Sequence, residues 1–261
     1  MAFRGVNFAH LARFNSAASS DFLRLYESHL EKQLLEEAAK PPSKNIAPSG
    51  LRCARLQWFR LRGVTPDTPK TVDTTSHFQA QIGTACHRII QSNLVKALGD
   101  NWISVKDYLQ KFPIPYEYEL TEDEDSLETK VAITSPFHMH FACDGIIFLN
   151  GEYWLLEIKT AEYDSFDNLT DVKAIHREQI KTYATVLNLN RVLVLYQDRL
   201  YGKLKCYEMK VSTSERQAVL DRIDSIELAV ETNIAPDRLP TGDPWCSRSR
   251  CQFYESCRRW G

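Results

Sequence analysis

The chain has 261 residues, 43% hydrophobic and 25% charged, with a formal net charge of -2. That length supports one large domain or a domain with appended pieces, and the charge balance excludes a uniformly basic nucleic-acid binder, so any basic surface must be local. No run of eighteen apolar residues reads as a membrane helix, and MAFRGVNFAHLARF lacks the apolar core and cleavage site of a signal peptide, which predicts a cytoplasmic protein without a membrane partner.

Residues 1 to about 20 carry weak patterning and are expected to be loosely docked. Phe22 to Lys40 predicts a helix, with Phe22, Leu25, Tyr26, Leu30, Leu34 and Leu35 at three- and four-residue spacing. Lys40-Pro41-Pro42-Ser43 ends it, and a loop leads to Ser49-Gly50. LRCARLQWFRLRG then predicts a short helix mixing Arg52, Arg55, Arg60 and Arg62 with Trp58 and Phe59. Basic residues interleaved with aromatics suit single-stranded nucleic acid, and equally an amphipathic helix with solvated arginines. Ser76 to Leu98 is the next long helix, with Ile82, Ile89, Ile90, Leu94 and Leu98 inward and His87 in the middle. Lys106 to Pro115 predicts a short helix and loop, Tyr116 to Leu120 a strand, and the acidic run Glu122 to Asp125 with Glu128 a solvated loop.

Lys130 to Asp144 predicts a strand running on into a hairpin, with His138, His140 and Asp144 at even spacing on one face. Asn150-Gly151 stands between two β-type runs, Gly145 to Leu149 and Tyr153 to Ile158. That is a hairpin signal, because both central residues of a type I′ turn need positive φ. Glu157 and Lys159 leave the same face of the second strand roughly 7 Å apart, and an antiparallel turn returns Asp144 beside them. Leu155, Leu156 and Ile158 make this strand read as buried on both faces, where charges are expensive unless paired or bound to metal. The patch reads as a divalent-metal site with a cationic helper; a surface salt bridge is the alternative. Residues 161 to 172 read as a loop beside it. Lys173 to Asn188 predicts a helix with Gln179 and Tyr183 on one face. Arg191 to Gln197 and Leu204 to Val211 are strands, and a helix starts at Thr213, capped by Ser212, Thr213 or Ser214. A Pro-rich loop, Pro236 to Pro244, leads to Cys246-x4-Cys251-x5-Cys257 and Arg258-Arg259-Trp260. The order predicts an α/β core with a central mixed β-sheet flanked by helices. Seven cysteines without an export signal point to reduced thiols or metal ligands rather than disulfides.

Taken in order, His87 within a helix, Asp144 at the head of a hairpin, Glu157-Ile158-Lys159 on its second strand and Gln179-x3-Tyr183 on the next helix resemble the PD-(D/E)xK nuclease superfamily. The match is to its RecB-like branch and covers roughly residues 50 to 257, with Cys143 where proline often precedes the aspartate. The resemblance implies a restriction-endonuclease-like core over residues 76–211 and Mn²⁺ or Mg²⁺ held by Asp144, Glu157, the Ile158 carbonyl and His87. A nitrogen ligand biases such a site toward Mn²⁺. It implies catalysis by Asp144, Glu157 and Lys159, the lysine orienting or deprotonating the attacking water, with Gln179 and Tyr183 positioning the scissile phosphate or Lys159.

Cys53 ahead of the core, with Cys246, Cys251 and Cys257 behind it, resembles the iron–sulfur nucleases. These include CRISPR-associated adaptation exonucleases, AddB-type helicase–nuclease subunits and related viral exonucleases. That implies a [4Fe–4S] cluster stapling a helical region at residues 1–75 to the C-terminal region 212–261. The first gap of the trio is four residues rather than the usual two, which keeps structural zinc open. Cys86, Cys143 and Cys206 read as small buried hydrophobes. Arg52, Arg55, Arg248 and Arg250, near the cysteines, are expected phosphate contacts. The function implied is a prokaryotic or viral exonuclease on DNA ends in recombination, repair, phage DNA processing or CRISPR adaptation, with a helicase or recombination protein as partner. The alternatives are a non-catalytic DNA-end-binding subunit and a structure-specific endonuclease.

Overall fold

The computed structural model describes residues 17–39, 44–67, 74–122 and 127–260. The loosely docked stretch expected before residue 17, the helix terminator at 40–43 and most of the acidic run lie outside these residues. The chain runs α1 (Ala17–Ala38), α2 (Ala54–Leu61), α3 (Thr74–Leu98), β1 (Trp102–Ile103), α4 (Val105–Lys111), β2 (Glu117–Glu122), β3 (Thr129–Ser135) and β4 (Met139–Cys143). It continues through β5 (Gly145–Leu149), β6 (Glu152–Ala161), α5 (Tyr163–Asp167), α6 (Ala174–Val186), β7 (Arg191–Asp198), β8 (Leu204–Lys210), α7 (Thr213–Thr232) and α8 (Tyr254–Arg259).

Five strands form a mixed sheet in the order β1-β5-β6-β7-β8. Only β6 and β7 pair in parallel, as the helical crossover through α5 and α6 requires. The β5–β6 turn is the one expected: Asn150 and Gly151 have φ of 53° and 82°, and Leu149 pairs with Glu152. A second, antiparallel sheet of β2, β3 and β4 stands apart. The single strand expected over Lys130 to Asp144 is therefore two, β3 and β4. Pro136 has no N–H to continue a ladder, so the chain folds back there and Ile133 faces Met139. The loop expected over 161 to 172 contains the short helix α5.

The two faces of the mixed sheet are covered differently. Leu155, Val192, Val194 and Tyr196 join a core with Ile180 and Ala184 of α6, Ile223 and Ile226 of α7, and Val131, Ile133 and Phe141 of the small sheet. Leu156, Ile158, Leu193 and Leu195 face the other way, against Ile90 and Leu94 of α3. Each fully buried side chain of this kind stabilises the fold by about 2 kcal/mol. α7 starts from Ser212, whose hydroxyl and Glu215 form a reciprocal capping box.

Two helical faces expected inward are not covered. Phe22, Leu25, Tyr26 and Leu35 of α1 and Ile82 and Ile89 of α3 are exposed, because α1 leans on α3 rather than on the sheet. No helix among the described residues is long and apolar enough to cross a membrane.

Candidate metal centre

Asp144 is the single residue between β4 and β5, so it belongs to the ends of two ladders. In the β5–β6 ladder Gly145 pairs with Leu156, which sets Asp144 opposite Glu157. In the β3–β4 ladder Thr129 pairs with Cys143, which sets Asp144 opposite Glu128. His87 reaches the same point from α3, its Nδ1 lying 3.4 Å from Asp144 Oδ1 and 3.6 Å from Glu128 Oε1. Gln91, one helical turn further along α3, donates from Nε2 to the Asp144 carbonyl at 2.8 Å. The Ile158 amide donates to Asp144 Oδ2 at 2.6 Å and fixes the other side of that carboxylate. Ligand atoms of His87, Glu128 and Asp144 all lie within 4.8 Å of one another.

Glu157 stands just outside that compact set. Its carboxylate, 2% exposed, is drawn to Lys159, with Nζ 2.5 Å from Oε1. Lys159 also donates to Gln179 Oε1 at 3.3 Å, and Gln179 Nε2 donates to the Tyr183 hydroxyl at 2.5 Å. Tyr183 is buried and stacks on Phe141 with ring centroids 4.8 Å apart. The sequence pair on one helix face is thus a relay of contacts that ends on Lys159.

The electrostatics follow from crowding buried carboxylates. Burial, then the Asp144 charge, push the Glu157 carboxyl up to about 7 against the opposing pull of Lys159. Burial alone would lower His87, but its bonds to Asp144 and Glu128 outweigh this and raise it to about 9. Burial, aided by the Glu157 charge, raises the Tyr183 phenol, so it keeps its proton. Burial likewise holds Cys143, the neighbour of Asp144, as a neutral thiol. Such a cluster of acids favours a cation, and its oxygens with one nitrogen suit Mn²⁺ or Mg²⁺.

Glu128 and Gln91 are the participants that sequence reasoning missed. Glu128 was grouped with the solvated acidic run. The signal that could have found it is symmetry: Glu128 and Asp144 stand at equal sequence distance from Pro136. Gln91 repeats the four-residue spacing of His87 on α3. The even spacing of His138 and His140 leads elsewhere. His140 contacts Asn45 at 3.1 Å, and the His138 charge and backbone act on Glu227 of α7.

At the other end of the molecule Cys53, Cys246, Cys251 and Cys257 line one cavity of about 260 Å³, and all four thiols are free. Burial first, then repulsion from the other three sulfurs, raises the Cys53 thiol. Burial and the charges of Cys257 and Cys246 do the same to Cys251. No three of these sulfurs approach within 4.8 Å; among the described residues only the His87 set does. The neighbouring arginines differ in availability. Arg55 is 5% exposed and donates to the carbonyls of Cys257 at 3.2 Å and Trp260 at 3.0 Å, so it ties α2 to the chain end instead of facing solvent. Arg52 pairs with Asp243 at 2.7 Å, and Arg52 and Arg250 both lie over the Trp245 ring. Arg248 is exposed and pairs with Glu255.

No family model matches the chain. No curated protein matches it either. Among solved structures, the crystal structure of SSO0001 aligns over 92% of this chain and 99% of its own, with 17% identity and a TM-score of 0.50. An alkaline exonuclease from Laribacter hongkongensis, LHK-Exo, aligns over 76% of this chain and 94% of its own at 13% identity and a TM-score of 0.38. LHK-Exo in complex with dAMP aligns over 73% and 90%, with the same identity and TM-score. The likeness to SSO0001 is one of fold alone, and that to LHK-Exo is too distant to carry an argument.

Proposed function

We propose that the chain is a divalent-metal-dependent deoxyribonuclease of the PD-(D/E)xK kind that removes nucleotides from DNA ends. The observation that carries this reading is the β5–β6 register, which sets Asp144 against Glu157 with Lys159 on the same face and His87 beside them. The donor set fits a hard cation: two carboxylates 6% and 2% exposed, and one imidazole nitrogen. Asp144, Glu157, His87 and the Ile158 carbonyl would hold Mn²⁺ or Mg²⁺, which supplies charge neutralisation at the phosphate and an activated water. Lys159 places a positive charge where negative charge grows on the phosphate oxygens. Glu157 holds that ammonium from one side and Gln179 from the other. Tyr183 keeps Gln179 in the rotamer that reaches it.

The second part of the reading concerns the chain ends. Cys53, Cys246, Cys251 and Cys257 would hold a [4Fe–4S] cluster, dividing the molecule into an N-terminal region 1–75, a nuclease core 76–211 and a closing region 212–261. Two observations support it: four free thiols share one cavity, and their sulfurs are spread. Zinc would need neighbouring sulfurs at about 3.8 Å, given a Zn–S bond of about 2.3 Å. Arg52, Arg248 and Arg250 would guide the strand by phosphate contacts.

Asp144→Asn and Lys159→Ala are expected to slow digestion of end-labelled linear DNA in Mn²⁺ by at least about a hundredfold. If either variant digests as fast as the parent, the assignment is wrong. A parent that binds ends without cutting would instead be an end-binding subunit, and equal cutting of circular DNA would make it an endonuclease.

A further inference from the structure

We infer that the centre holds two divalent ions sharing Asp144, with Glu128 completing the second position. This deepens the proposed nuclease reading and rests on it. Asp144 is the last residue of one ladder and the residue before the next, and each ladder delivers one carboxylate to it: Glu157 from β6, Glu128 from the residue before β3. Its two oxygens are turned in different directions. Oδ1 faces His87 and Oδ2 faces the Ile158 amide beside Glu157. The side chains therefore divide into two donor groups that meet at one carboxylate. His87, Glu128 and Asp144 already lie within 4.8 Å of one another, a spacing one ion could bridge. Glu157 and the Ile158 carbonyl remain for the other. Ions about 4 Å apart across a shared carboxylate are a common arrangement in phosphodiester hydrolysis.

An independent observation comes from Gln91. Its side chain is wholly buried, faces Asp144 from the same stripe of α3 as His87, and donates to the Asp144 carbonyl. Its Oε1 has no donor. A buried acceptor without a partner is costly, and a water on a hydrated ion at the His87 position would satisfy it. Charge points the same way. Three carboxylates face one lysine, and Glu157 already engages that lysine, so Asp144 and Glu128 have only His87 for balance.

Mn²⁺ titration calorimetry on the full chain tests this, with EPR of the loaded protein as a second readout. The parent is expected to bind two ions per chain, and Glu128→Gln one, the lost site weakening at least about tenfold. Asp144→Asn is expected to lose both. Two ions bridged by one carboxylate couple magnetically, so the parent spectrum should lack the resolved hyperfine lines of an isolated ion and Glu128→Gln should regain them. A parent that binds a single ion, kept unchanged in Glu128→Gln, overturns the inference and leaves the nuclease reading standing. Two coupled ions in a parent that cuts no DNA would establish the site and overturn that reading. Glu128 is partly exposed and carries no packing in the core, so the variant is expected to fold; an unchanged melting temperature without Mn²⁺ checks it.

Discussion

The Lys159 ammonium sits at the end of a flexible four-carbon stem, and its aim depends on what holds it. Glu157 contributes charge; Gln179, locked by Tyr183, contributes direction. Gln179→Ala removes only the second. On the proposed reading its turnover is expected to fall roughly tenfold to a hundredfold, as a misplacement of about 1 Å does, while the KM for DNA and the Mn²⁺ affinity stay near those of the parent. A matching fall in Mn²⁺ affinity would show that Gln179 shapes the ion site instead. His176 carries a different message. Its Nδ1 lies 2.8 Å from the buried Tyr196 hydroxyl, which itself accepts from the Lys173 amide, so the imidazole must be neutral to take the phenol proton. Burial first, then the charges of Lys159 and Lys173, lower it to about 4. A base lowered in the folded state contributes stability that is complete above about 6.5 and is lost as pH falls toward 4. After allowing for screening at a half-buried group, the loss is about 1–2 kcal/mol. Urea melts at pH 7.5 and 4.5 should show His176→Gln losing that much less stability than the parent; equal losses would mean the ring is not held neutral.

Strand β5 is positioned by a glycine rather than by a side chain. A Cβ on Gly145 would lie 2.5 Å from the Trp102 ring of β1, so the residue after Asp144 must be glycine for the indole to lie flat against it. Gly145→Ala is expected to cost about 1–3 kcal/mol by overpacking, and to displace Asp144 as well. Pairing it with Trp102→Leu should restore part of the melting temperature; no recovery would place the strain elsewhere. The hairpin around Asp144 was legible in sequence because its signals are local: Asn150-Gly151 fixes the turn, the turn fixes the register, and the register puts Asp144 opposite Glu157. Gln179 and Tyr183 were legible for the same reason, through the pitch of one helix. Glu128 was not, because its place depends on β3 pairing with β4 in a second sheet, and an acidic run before a strand looks like solvated loop. The faces of α1 and α3 misled for the opposite reason. Their periodicity is real, but periodicity names an apolar stripe without saying whether anything covers it.

At the scale of the molecule, the segment around α2 and the last stretch of chain meet far from the hairpin, and protein contacts already join them. Phe59 stacks on Phe253 and Trp58 meets Trp260 edge-on, each pair with centroids 5.1 Å apart, while Arg55 holds the Cys257 and Trp260 carbonyls. Asp67 accepts from the Ser256 amide at 2.7 Å and from its hydroxyl at 2.5 Å. Four thiols within such a clasp repel one another as thiolates, so without a metal group the cavity works against the contacts around it. With one, the same sulfurs become a staple between distant parts of the sequence, which lowers the entropy of the unfolded chain. Protein purified without oxygen is therefore expected to be brown and to contain iron. Cys251→Ser is expected to be pale and to melt roughly 6–12 °C lower, for a staple of about 3 kcal/mol. Its hydrogen exchange should rise over residues 54–61 and 251–259 while β5 and β6 keep their protection, because their packing lies in the separate core around Leu155, Val192 and Ile180. Colourless parent protein carrying stoichiometric zinc would replace the cluster with a zinc staple. Exchange rising equally in β5 and β6 would mean that the ends and the hairpin unfold as one unit, and that the clasp supports the metal centre directly.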